Sequence, residues 1–321
     1  MDDNKQDNFK SNTPYNTEII TYGNNSVKVV HHLYEIKPKK AHSQNVDEYE
    51  IKQKIKENIS LIQSVFGGKV SVLSEKRMKE TASERAYREN INIRNSLAHT
   101  KKRINELSRS TTWTYFVTLT FAEDKIGDRT DYDLCMKKVK QWLNYQRKCS
   151  PELKYLCVPE AHKKQIDGKT TWHVHILMAD IGTMKLEDSG RVAVGKKAYK
   201  KEGKYADGTY PTIWNLSGWH WGYSTAIEIS GDVNRLANYV TKYVTKDLII
   251  HTPNAHRYFA SRNLEAPKIE KLMISDKVMD EALEDYLNRN NMEIRYAKTI
   301  SNCYNPTTYY ELREKGGESD A

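Results

Sequence analysis

Thr170-Thr171-Trp172-His173-Val174-His175-Ile176-Leu177-Met178 is the stretch on which the reading of this chain turns. It is rich in β-branched and aromatic residues, which suit a pleated, half-buried surface, so it is expected to be a strand. Residues two apart on a strand face the same way; His173 and His175 therefore offer both imidazoles to one side while Val174 packs on the other. The preceding strand, Leu153 to Glu160, ends in a carboxylate and reaches the pair through a charged turn containing Asp167-Gly168. One carboxylate and two imidazoles form an incomplete shell for a divalent cation such as Mg2+ or Mn2+, with positions left for phosphate oxygens. His162, two residues beyond Glu160, shares its face and is the rival third ligand.

Working outward, Trp113 to Phe121 alternates as a further strand, and Tyr132 to Lys148 follows helical spacing through Leu134, Val139, Trp142 and Leu143. Residues 187 to 211, rich in Gly, Lys and Tyr, read as an exposed insertion. Ile213 to Ile229 is another strand region, and Asp232 to Asp247 a helix with Asp232 as its N-cap. Within that helix, Asn238-Tyr239-Val-Thr-Lys242-Tyr243-Val-Thr-Lys246 sets two tyrosines one turn apart on one face, with Lys242 and Lys246 beside them. A phenol is a poor nucleophile until it is positioned, but a metal that polarises a phosphate aids its attack and a lysine can steady the developing charge. Alone, the tyrosines read as amphipathic groups packed on a sheet and the His-x-His pair as incidental. Their coincidence with Glu160 favours a site.

Upstream, residues 1 to about 15 are polar and aperiodic, Glu18 to Ile36 reads as a hairpin around Gly-Asn-Asn, and Asp47 to Phe66 as a helix ended by Gly67-Gly68. Ser74 to Arg109 lacks Gly and Pro and carries ten Lys or Arg against five Glu, a long basic helix. Lys101, Lys102 and Arg103 on it are candidate phosphate contacts, with a merely solvated face as the rival reading. After Pro267 come an acidic helix, Asp276 to Leu287, and two strand-like runs.

The 321 residues carry a formal charge of +9, which fits a polyanionic partner without requiring one. No run approaches the roughly 18 apolar residues that span a bilayer, so no membrane is expected and the location is read as cytoplasmic. The four cysteines form no C-x-x-C pair and read as ordinary reduced thiols. No G-x-x-x-x-G-K-[ST] stretch is present, so no built-in helicase is expected.

Phe116-Val-Thr-Leu-Thr-Phe121, His173-Val-His175 and Tyr239-x-x-x-Tyr243 with Lys246, in that order, resemble the three motifs of rolling-circle replication initiators of the His-hydrophobic-His endonuclease superfamily. The likeness is nearest to the two-tyrosine branch of microvirus gene A and filamentous-phage gene II-like proteins. Arg257-Tyr-Phe-Ala-Ser-Arg262-Asn263 is similar to a Tyr-x-x-Ser-Arg-Gly stretch of that group, with Asn263 in place of Gly, and adds Arg257 and Arg262 as DNA contacts. The resemblance covers about residues 75 to 310. It implies an α+β fold, a central antiparallel sheet of ferredoxin or RRM-like type with flanking helices, preceded by the basic helix. The implied division is an accessory region at 1–68, the basic helix at 69–110, the nuclease domain at 111–270 and an αββ extension at 271–321.

It further implies a metal held by His173, His175 and Glu160, with Tyr239 and Tyr243 as nucleophiles that join the 5′ end of nicked single-stranded origin DNA and release a 3′-hydroxyl. Lys242 or Lys246 would steady the phosphate, while Thr118 and Thr120 are expected to be scaffold that can also make backbone contacts, without a catalytic part. A host helicase and DNA polymerase would be partners. The alternatives are a catalytically inactive DNA-binding repressor or copy-number regulator, a single-tyrosine transposase-like nuclease, and an RNA-binding sheet suggested by 21 Tyr and 6 Trp.

Overall fold

A computed structural model describes residues 13–37 and 82–316 except 163–164, 166–167, 196, 232, 246–247, 249–251, 253–255 and 302–303. The helix expected at 47–66, the Asp232 cap, Lys246 and Cys303 lie outside the described residues. The chain runs through a hairpin of β1 (Tyr15–Thr21) and β2 (Val27–Ile36), then α1 (Ala82–Ser110), β3 (Tyr115–Thr120), α2 (Glu123–Ile126) and α3 (Tyr132–Cys149). It continues with β4 (Tyr155–Ala161), β5 (Trp172–Met178), β6 (Leu186–Val194), β7 (Lys197–Lys200), β8 (Thr212–Leu216) and β9 (Ser224–Glu228). The final elements are α4 (Val233–Thr241), β10 (Phe259–Ala260), β11 (Lys268–Leu272), α5 (Met279–Arg289), β12 (Met292–Ile300) and β13 (Thr307–Glu314). The fold is α+β, with two antiparallel sheets.

The larger sheet has the order β10-β4-β5-β3-β9-β8-β6-β7, which sets the histidine strand β5 between β4 and β3. Strand alternation divides its side chains between two cores. On one face Val117, Leu119, Val174 and Ile176 meet Val139, Trp142 and Leu143 of α3, whose N-cap Asp131 accepts the Leu134 N–H at 3.0 Å. On the other, Leu156, Val158 and Leu177 meet Ile104 and Leu107 of α1 and Val240 of α4. The segment at 187 to 211 is mostly exposed, as expected, but much of it is paired: 186–194 and 197–200 form the edge ribbon β6–β7, where Val192 is buried and pairs with Tyr199. The Gly and Lys content that suggested a loop reflects the ribbon's bends, such as Gly190 at φ 66°, and its solvent face.

The second sheet has the order β11-β1-β2-β13-β12, so the N-terminal hairpin and the C-terminal strands, which sequence reading keeps apart, share one ladder. Met279 and Leu283 of α5 pack on one face with Val27, Val29 and Leu312. The end of α1 meets the other face through Arg109, whose side chain is 4% exposed. Its Nη2 lies 2.8 Å from Glu311 Oε2 and donates to Ser26 Oγ at 3.0 Å, and its guanidinium sits 3.8 Å from the Tyr22 ring centroid. Removing one partner of a buried pair strands the other charge. Glu311 is partly exposed and keeps Lys28 at 3.6 Å, so Arg109→Ala is expected to cost about 3 kcal/mol, at the low end for such pairs. Urea unfolding of the two proteins measures it.

Cys135 and Cys157 are buried free thiols and Cys149 an exposed one. Among the described residues no helix is long and apolar enough to cross a membrane.

Candidate metal centre and tyrosine pair

Antiparallel register places Glu160 opposite His173 and His175 opposite both Val158 and Thr118. Because Phe116, Thr118, Glu160, His173 and His175 occupy alternate positions on three adjacent strands, they share the face that α1 and α4 cover. Glu160 Oε2 lies 2.6 Å from His173 Nε2 and 2.7 Å from His175 Nε2. The ligand atoms of the three residues lie within 4.8 Å of one another, close enough to share one divalent cation, and nitrogen and carboxylate donors suit such an ion. His162 stands outside this group; its ring centroid is 4.4 Å from that of His173, at the rim.

Two protonation tendencies prepare the group for a cation. Burial raises the Glu160 carboxyl, but hydrogen bonds from both histidines overcome this and bring it down to about 2. Burial lowers His175, so its imidazole is neutral at pH 7. Hydrogen bonds from the two rings, followed by the attraction of their charge, are what hold the carboxylate ionised. Ionised carboxylate and neutral imidazole are the states in which these groups ligate metals.

Thr118 Oγ1 lies 3.1 Å from His175 Nδ1. Were a metal to take Nε2 in place of the Glu160 hydrogen bond, the ring proton would sit on Nδ1 and donate to this hydroxyl, which would hold the ring's direction. Thr118→Val keeps shape and loses the hydroxyl, so divalent metal affinity is expected to fall about 10-fold, measured by calorimetric titration.

The tyrosines arrive from α4, which ends at Thr241 and not, as expected, near Asp247. Beyond Tyr239 the chain tightens: Lys242 N–H donates to Tyr239 O, Tyr243 N–H to Val240 O and Val244 N–H to Thr241 O, at 3.1 to 3.3 Å. β-branched Val240, Thr241, Val244 and Thr245 lower helix propensity here, and aromatic contacts claim Tyr243. Its ring stacks on His175 with centroids 3.7 Å apart, and lies 5.3 Å from that of Tyr239. Phe116 packs beside all three, at 5.4 Å from His175, 5.5 Å from Tyr239 and 6.3 Å from Tyr243. Burial, a hydrogen bond with Tyr239 and the Glu160 charge push the Tyr243 phenol upward. Tyr239 is 38% exposed, with Lys242 Nζ 5.5 Å from its ring centroid.

The structure thus brings Glu160, His173, His175, Tyr239, Tyr243 and Lys242 together. The other candidates stand on different elements. Lys102 and Arg103 of α1 lie 3.9 and 3.4 Å from Glu106, with half-buried Lys101 beside them, and α1 meets α4 through Asn105 and Asn238 at 3.4 Å. Exposed Arg262 follows β10, where Ser261 exchanges backbone and side-chain hydrogen bonds with Tyr155; Arg257 places its charge near Tyr132. Sequence reading gives Phe116 no role of its own and Thr118 that of scaffold open to backbone contacts. Their alternate spacing on the strand beside the histidines is the signal that marks them.

Residues 114–248, from the start of β3 to just past Tyr243, match the model of the family described as replication-associated protein ORF2/gene II protein. That span contains the whole Glu160, His173, His175 and tyrosine constellation and supports a role associated with DNA replication. No curated protein and no solved structure gives a significant match.

Proposed function

We propose that the protein is a rolling-circle replication initiator that nicks and rejoins single-stranded origin DNA with a tyrosine nucleophile. The observation that carries this reading is the contact of Tyr243 with metal-ligand candidate His175, with Tyr239 hydrogen-bonded beside it. A nucleophile touching the rim of a Glu/His/His group can reach a phosphate bound there.

A divalent cation held by Glu160, His173 and His175, Mg2+ or Mn2+, would draw charge from a non-bridging oxygen of the scissile phosphate. A tyrosine Oη attacks phosphorus; the Oη–P bond forms, the P–O3′ bond breaks, the phenolic proton goes to solvent and the departing 3′ oxygen takes one up. The 5′ end remains on the tyrosine and the 3′-hydroxyl is a primer for a polymerase. Lys242, beside Tyr239, offers positive charge to the phosphate, a role that Lys246 one repeat later shares in this reading. Two tyrosines allow one to hold a 5′ end while the other cuts the regenerated junction. Lys101, Lys102, Arg103, Arg257 and Arg262 are the proposed backbone contacts, and a separate helicase and polymerase the proposed partners.

The test is incubation of purified protein with Mn2+ and single-stranded fragments of its own replicon, followed by denaturing electrophoresis. A covalent adduct lost in EDTA is the expected result; no adduct with any fragment would leave the inactive DNA-binding regulator as the better reading.

A further inference from the structure

Beside the Glu/His/His group the sheet opens into a cavity of about 320 Å3, lined by Thr120, Arg129, His162, Trp172 and Tyr223 among others. Thr120 pairs in register with His173, and the His162 ring lies against His173, so the cavity adjoins the candidate metal centre. Both walls have fixed backbones. Thr120 N–H donates to Tyr223 O at 2.9 Å, Tyr223 N–H to Thr120 Oγ1 at 3.2 Å, and Ala122 N–H to Trp221 O at 2.8 Å. The loop can lie this close only because residue 222 is glycine, since a Cβ there would stand 2.1 Å from Thr120 O. Opposite, Trp172 Nε1–H donates to Thr130 O at 3.1 Å and tethers the loop that carries Arg129.

On this frame Tyr223 is 76% exposed, and Lys125 Nζ stands 5.9 Å from its ring centroid. Arg129 Nε is buried without a hydrogen bond, 3.4 Å from Glu123 Oε2. Glu123 and Asp124 also line the cavity and Glu123 holds Arg129, so the exposed aromatic ring on a fixed backbone, with Lys125 beside it, is what has the parts of a base-stacking platform with a phosphate contact.

We propose that this cavity is a nucleotide subsite: the base of one nucleotide of single-stranded DNA stacks on Tyr223, and an adjoining phosphate meets Lys125. The inference rests on the nicking reading above and adds where the strand goes on leaving the metal centre. Tyr223 then acts as a binding residue that sets the register of the strand without touching the reacting atoms.

Fluorescence anisotropy tests it in EDTA, so that nothing is cut, with two labelled probes: a dodecamer of deoxycytidine and an abasic dodecamer with the same number of phosphates. Tyr223→Ala is expected to bind the deoxycytidine probe about 10-fold more weakly, as loss of one stacked base implies, and the abasic probe as wild type does. Tyr223→Trp restores binding, and Lys125→Ala weakens both probes by one common factor. Tyr223→Ala binding the deoxycytidine probe like wild type, or losing equally on both probes, overturns the subsite. Should wild type form the adduct while Tyr223→Ala is silent here, the subsite alone falls. Should wild type bind neither probe, the subsite falls, and the nicking reading stands or falls by the adduct assay alone.

Discussion

Replacing Tyr239 and Tyr243 together by phenylalanine is expected to abolish the covalent protein–DNA adduct, to below roughly a thousandth of the wild-type yield, because no phenolic oxygen remains to attack phosphorus. Phenylalanine keeps the ring that stacks on His175 and Phe116, so the fold and the cluster persist. Each single variant retains an adduct at a reduced rate. Tyr243→Phe also takes away the hydrogen bond between the two phenols, so its effect reaches Tyr239 as well. Denaturing electrophoresis after fixed incubation times reads all three proteins. Undiminished adduct in the double variant would mean that the nucleophile lies elsewhere.

Glu160→Gln is expected to lower both divalent metal affinity and nicking by about 100-fold or more. The amide removes the negative charge that both Nε2 atoms approach and offers a cation one neutral oxygen. The side-chain volume is unchanged, so the melting temperature of the metal-free protein serves as a control for folding. His162→Ala provides the contrast: its ring stands outside the three-residue group, and metal affinity should change by less than about 3-fold. Calorimetric titration with Mn2+ separates the two. Equal losses in both variants would put His162 in the ligand set.

Much of the site is legible in the sequence because strand geometry is local. His173 and His175 must share a face once β5 is a strand, and the short connection returns Glu160 to them. The end of α4 is not legible in this way. Tyr243 lies in the tightened turn past the end of α4, where its ring meets His175 and Phe116, residues far away in sequence. Phe116 itself looks like any other strand aromatic until the register of β3 against β5 sets it among the tyrosines. The edge ribbon β6–β7 is hidden for the opposite reason: it buries little, so its composition is that of a loop although its backbone pairs.

The pairing of β2 with β13 joins residues about 280 positions apart, Val27 with Leu312 and His32 with Thr307. The order of synthesis then matters. By the time residue 248 has been made, every residue proposed to touch the reacting phosphate exists, whereas β2 still waits, with an open edge, for a strand made much later. A chain broken off before residue 292 would keep the nucleophiles and leave Arg109 buried in the folded protein's plan but without Glu311 to meet it. Such a product would be a target for proteolysis or for edge-to-edge pairing, so a late truncation would remove the protein and not release a shortened working form of it.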